Sequence, residues 1–116
     1  MVTYKRIDHN ALHVANMEVS KNFYESHFGF ETYFEHETPT GIAIAYLRLM
    51  DTVLELTGME DAPVKGFHFC LETDDFEGAV AHLKAANVEL IQPPHKTAAR
   101  EPREKNWQRV VFKGPD

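Results

Sequence analysis

The sequence predicts an α+β fold of two paired βαβββ modules, residues 1–60 and 61–116, forming a single domain whose second module lacks its last strand. Three observations carry this. Short stretches alternate apolar and polar residues with the period of a strand. Two longer stretches place apolar residues at helical spacing behind a capping residue. The halves also repeat: Asn16 follows His9 by seven residues, Asp75 follows His68 by seven, and Met17-Glu18 matches Phe76-Glu77.

Ile7–Val14 reads as the first strand, with Ile7, His9, Ala11 and His13 on one face and Asp8, Asn10, Leu12 and Val14 on the other. Asn16 caps a helix over Met17–Phe28 that places Val19, Phe23 and Phe28 near one face, and Gly29 stops it. Phe30–Glu37 is the second strand, closed by the turn at Pro39-Thr40-Gly41. Ile42–Met50 and Thr52–Thr57 are two more, joined tightly at Asp51. Gly58–Lys65 is a turn-rich linker, after which the pattern restarts with a strand at Phe67–Glu72. Asp75 begins a helix over Phe76–Ala86 with Phe76, Val80 and Leu83 on one face. Val88–Ile91 is a short strand, Pro93–Trp107 a long polar loop, and Gln108–Lys113 a final strand before the turn at Gly114-Pro115-Asp116.

Composition narrows the function classes. Eight Phe, four Tyr and one Trp give 116 residues enough to bury, which argues against disorder. The longest mainly apolar uncharged run, Gly41–Leu47, is far too short to span a membrane. One cysteine, Cys70, and no signal-like N-terminus suggest the cytoplasm. Residues 1–89 carry 6 Lys/Arg against 15 Asp/Glu, a net of −9, while residues 90–116 carry a net of +3. The acidic body argues against nucleic acid as a partner, and the basic tail suits a small anionic ligand.

The chemistry concentrates on one strand face. His9, Glu55 and His68 each lie opposite the strongly apolar face of their strand. If those apolar faces pack under the helices, two imidazoles and a carboxylate share the other face, and the repeat brings His9 and His68 near each other. That is a donor set for a divalent cation such as Zn, Ni, Co or Fe. Tyr46 and Arg48 share the face as packing and solvent contacts, and Cys70 reads as a small packing residue.

The stretch from Ile7 to Phe30, with Thr52-Val-Leu-Glu55-Leu-Thr57 and Gly66-Phe-His68-Phe-Cys-Leu-Glu72, resembles the vicinal-oxygen-chelate superfamily. Glu55 in Leu-Glu-Leu-Thr, with His at the other two positions, resembles glyoxalase I (lactoylglutathione lyase) within it. The resemblance implies a cupped mixed sheet with helices outside and a cleft completed in a homodimer. It implies metal ligands His9, Glu55 and His68, with Ni²⁺ or Co²⁺ favoured over Zn²⁺. It also implies Glu55 as the proton shuttle that turns the methylglyoxal–glutathione hemithioacetal into S-lactoylglutathione. His13 stands where the family has a glutathione-binding Arg and Met59 where it has an Asn, so Lys96, Arg100, Arg103 and Lys105 are the candidates to meet a substrate's carboxylates. The family's fourth ligand, a Glu about five residues past the Gly-Pro-Asp turn, has no counterpart in the 116 residues, so the resemblance implies a slow or impaired enzyme. The competing expectations are a metal-free binder like the bleomycin-resistance proteins, a ring-cleaving dioxygenase, and a thiol transferase acting on an antibiotic epoxide.

Overall fold

A computed structural model of the chain describes residue 3 and residues 5–59 and 68–116. It divides into two compact units, Met1–His68 with Pro115–Asp116, and Phe69–Gly114. The first unit holds strand β1 (Asn10–Val14), helix α1 (Met17–Phe28), and strands β2 (Glu31–Glu37), β3 (Ala43–Leu49) and β4 (Thr52–Gly58). Its sheet runs β1-β4-β3-β2, with β1 parallel to β4 and the other pairs antiparallel.

The local signals act as expected around α1. The Asn16 side chain accepts the Val19 N–H at 3.1 Å, and Gly29 leaves the helix at φ 76° with its N–H on the Glu25 carbonyl. The β3–β4 hairpin is as tight as predicted, and its two-residue turn holds Met50 at φ 55°. Alternation puts Ala45, Leu47, Leu54 and Leu56 on one face of the sheet, where they are buried with Val14, Tyr24 and Phe30.

The helix face differs from the expected one. Val19 is exposed, and the buried residues of α1 are Ser20 and Tyr24. Ser20 tolerates burial because its hydroxyl donates to Asp116 Oδ2 at 3.1 Å, while Asp116 Oδ1 accepts the Ala15 N–H at 2.9 Å. The first strand also starts later than expected, because its ladder with β4 begins at the pair Asn10 and Leu54.

The second unit holds helix α2 (Phe76–Ala85), strand β5 (Leu90–Lys96), a short 3-10 turn (Pro102–Glu104) and strand β6 (Gln108–Phe112), with β5 and β6 antiparallel. Asp75 caps α2 by accepting the Gly78 N–H at 3.0 Å, and Val80 and Leu83 are its buried residues. Part of the expected polar loop is strand: β5 runs through Pro93 and Pro94 to Lys96. Register shifts between Leu90 and Gln92 and between Gln92 and His95 open the ladder where the prolines have no N–H to give.

The expected strand at Phe67–Glu72 is corrected too. Residues 68–72 form no strand, while Phe67 and residues 60–65 of the expected linker lie outside the described residues. In the first unit, the opening strand β1 pairs with the fourth strand, β4. Among the described residues the second unit has no equivalent of β4, so its opening segment has no ladder partner.

Candidate functional site

The face of the first sheet opposite its core collects the polar and aromatic side chains. Glu55 sits in the middle of β4, directly across from Tyr46 on β3 and Ala11 on β1. His9 precedes Ala11 by two residues, so it lands beside Glu55: its Nε2 lies 3.8 Å from Glu55 Oε2. The Glu55 side chain is 14% exposed and that of His9 37%. The carboxylate is therefore largely withdrawn from water, with an imidazole at its side.

Two neighbours orient this pair. Asp8 Oδ2 lies 3.0 Å from His9 Nδ1, which directs Nε2 toward Glu55. That hydrogen bond is the main cause holding the Asp8 carboxyl below its ordinary range, with a smaller contribution from the Arg6 guanidinium at 3.4 Å. On the other side, Tyr46 stands directly across the ladder from the Glu55 carboxylate. That carboxylate, with burial second, holds the phenol above its ordinary value. The Tyr46 ring also meets His9 edge-on, with centroids 5.8 Å apart, and stacks on His36 at an interplanar angle of 7°.

A bulge in β2 completes the surroundings. Thr32 pairs with Leu47 and Phe34 with Tyr46, so Tyr33 is the extra residue. Tyr33 and Phe34, adjacent in sequence, therefore both reach the Tyr46 ring, at 6.3 and 6.1 Å. With Asp8, His9, His36 and Tyr46 they line a shallow, open recess of about 380 Å³.

The other expected site residues divide. His68 is exposed and belongs to no strand, so no ladder sets its position beside the pair. Among the described residues no group of three or more His, Cys, Asp or Glu side chains is gathered as a cation would need. His9 and Glu55 fit two donors of a divalent site by chemistry and by separation, and the third expected donor is not brought to them. His13 is exposed, across the ladder from Thr57.

The cations of the basic tail are partly engaged. Arg100 pairs with the buried carboxylate of Glu104 at 2.9 Å. Arg103 pairs with Glu72 and Glu101 and lies over the Trp107 ring. Their charges are matched inside the second unit, which leaves exposed Lys96 and Lys105 without an ion pair among the described residues.

Asp8 escaped the sequence reading because strand alternation placed it on the opposite face, and the chain at Asp8 is not yet strand. The recess escaped because alternation assigns Tyr33 and Phe34 to opposite faces unless a bulge intervenes. Among the described residues no helix is long and apolar enough to cross a membrane.

Comparison with known proteins gives a consistent picture. A family model described as "Glyoxalase/Bleomycin resistance protein/Dioxygenase superfamily" matches residues 6–116. Mitochondrial methylmalonyl-CoA epimerases from Dictyostelium discoideum and Bos taurus are 28% and 27% identical over 107 aligned residues, each alignment covering 81% of this chain. The chain spans only 64% and 61% of the length of those two relatives. A glyoxalase family protein from Enterococcus faecalis is similar in structure, with a TM-score of 0.76 and 23% identity over 97% of this chain and 92% of that one. The antibiotic-binding protein TnmS3 from Streptomyces sp. CB03234 has a TM-score of 0.76 and 23% identity over 100% and 92% of the two chains. The fosfomycin resistance protein FosX from Listeria monocytogenes, in complex with Mn(II) and a dihydroxypropylphosphonic acid, has a TM-score of 0.72 and 14% identity over 97% and 86%.

Proposed function

The chain belongs to the glyoxalase/bleomycin resistance protein/dioxygenase superfamily, and from that premise we propose that it is a divalent-metal-dependent enzyme that moves a proton at a carbon next to a carbonyl group. Its substrate in this reading is the methylglyoxal–glutathione hemithioacetal and its product S-lactoylglutathione, a glyoxalase I-type reaction. The observation that carries the proposal is the largely buried Glu55 carboxylate, across the ladder from Tyr46 and 3.8 Å from an imidazole that Asp8 orients.

His9 and Glu55 would hold the cation, with His68 as the proposed third ligand and Ni²⁺ or Co²⁺ as the favoured ion. Bound there, it supplies Lewis acidity to a substrate carbonyl oxygen. Glu55 takes the proton from the carbon bearing the hydroxyl and sulfur and returns it to the neighbouring carbon. Asp8 keeps the His9 ring in one orientation, and Tyr46 keeps the carboxylate in one rotamer. Lys96 and Lys105 would receive the carboxylates of the glutathione part, with His13 as a further contact. The working unit is a homodimer, which completes the cleft around the substrate.

A second reading is favoured by the epimerase relatives. In it the same carboxylate removes the proton next to a thioester carbonyl, and a proton delivered to the opposite face of the resulting enolate by water or a second acid inverts that carbon.

One set of assays separates the readings. The purified chain, with added Ni²⁺, Co²⁺ or Zn²⁺, is given the hemithioacetal while thioester formation is followed. It is then given a methylmalonyl thioester in D₂O while loss of the α-proton is followed by NMR. Thioester formation supports the first reading, and proton exchange alone supports the second. Glu55→Gln should lower whichever rate is found by roughly 10²–10⁴-fold. Neither activity with metal bound, or full activity in Glu55→Gln, would sink the proposal.

A further inference from the structure

The bulge in β2 turns two consecutive aromatic side chains onto one face, where regular alternation would send only one. Tyr33 and Phe34 are 42% and 53% exposed, so these rings are not spent on the core. Arg48 lies over the Tyr33 ring at 4.3 Å and Tyr46 stacks on His36, which fixes the walls of the recess. At one end sits the polar pair of Asp8 and His9. Ring-lined walls with placed polar groups between them are the pattern of a small-molecule site, whereas the centres of protein–protein interfaces are depleted of charge. Aromatic walls also discriminate by electronic shape: a flat ring matches their edges and faces, and a saturated ring of equal bulk does not.

We propose that this recess binds a planar aromatic ring system, held against Tyr33, Phe34 and Tyr46, with a polar substituent at the His9 end. The ring ligand is not the hemithioacetal, which has no arene, so the proposal adds a second ligand class to this face and does not rest on the reading of His9 and Glu55 as the reacting centre. As a statement about binding, it stands on the ring geometry alone.

The test titrates the ¹⁵N- and ¹³C-labelled chain with 2-naphthol and with decahydro-2-naphthol, a saturated match of similar bulk, and follows side-chain NMR shifts without metal. The expected result is saturable binding of 2-naphthol, with shifts centred on Tyr33, Phe34, His36 and Tyr46, and an affinity at least about fivefold above that of the saturated compound. Phe34→Leu keeps an apolar side chain at an exposed position and should lose most of that preference while melting at the wild-type temperature. Equal affinity for the two compounds, an unchanged preference in Phe34→Leu, or no saturable binding would each overturn the inference. So would shifts at the same four residues on dilution without any naphthol response, since a second copy of the chain would then occupy the face. Ring binding without either proton-transfer activity would sink the function reading alone. Activity without ring binding would sink this one alone.

Discussion

Tyr46 and Glu55 face each other directly across the β3–β4 ladder, and the carboxylate of one holds the phenol of the other above its ordinary range. The pair joins an aromatic wall of the recess to the carboxylate beside His9. Cross-strand neighbours on one sheet face are held within reach by the ladder itself, so the pair is organised before any ligand arrives.

Tyr46→Phe removes the donor and keeps the ring. Losing the polar partner that faces a largely buried carboxylate should cost about 1 kcal/mol, read as a lower midpoint in urea. In a spectroscopic titration, wild type should show Tyr46 ionising above the ordinary tyrosine range, and the variant should lose that component. An unchanged midpoint together with an unchanged titration would show that the phenol and the carboxylate do not interact.

Asp116 ties the end of the described chain to the start of α1 through Ala15 and Ser20. Asp116→Ala strands a serine hydroxyl that is 1% exposed, at a cost of about 1–3 kcal/mol. Adding Ser20→Ala should recover part of that loss, because the orphaned hydroxyl goes with it. Additive losses in the double variant would refute the coupling.

Tyr24 is 7% exposed, and burial, with the charge of Asp116 second, pushes its phenol from 10.0 to about 12. The folded state therefore keeps a proton that the unfolded chain loses. Its contribution is fully present below pH 10, falls between pH 10 and 12, and is gone above that. The loss amounts to about 2–3 kcal/mol over that window. Urea unfolding at intervals across it should show Tyr24→Phe falling less steeply than wild type; parallel curves would contradict the assignment.

Gly78 invites an unusual result. Replacing a helical glycine with alanine ordinarily gains about 1 kcal/mol. Here the added Cβ meets the Asp75 carboxylate that caps the helix, and moving that group aside forfeits a cap worth about 1 kcal/mol. Gly78→Ala alone should be near neutral, yet it should gain the full amount in an Asp75→Ala background. A double-mutant cycle with no coupling would disprove the clash.

Where local chemistry sets the outcome, the sequence by itself determined the result. Asn16 and Gly29 bound α1, Asp75 starts α2, and Met50-Asp51 turns β3 into β4, because caps and turns are decided within a few residues. The strand period likewise determined that His9 and Glu55 share a face, since alternation needs no knowledge of the partner strand. Tertiary structure alone decided the rest. The bulge that doubles the aromatic wall exists only in the pairing of β2 with β3. The burial of Ser20 depends on a carboxylate 96 residues away. Arg100 and Arg103, expected at a substrate's carboxylates, are matched by Glu104, Glu72 and Glu101. His68 has strand-like neighbours but no ladder, because among the described residues the pairing partner that β4 gives β1 has no counterpart in the second unit. A strand's composition is local, but its hydrogen bonds belong to a neighbour, and only the folded chain says whether that neighbour is there.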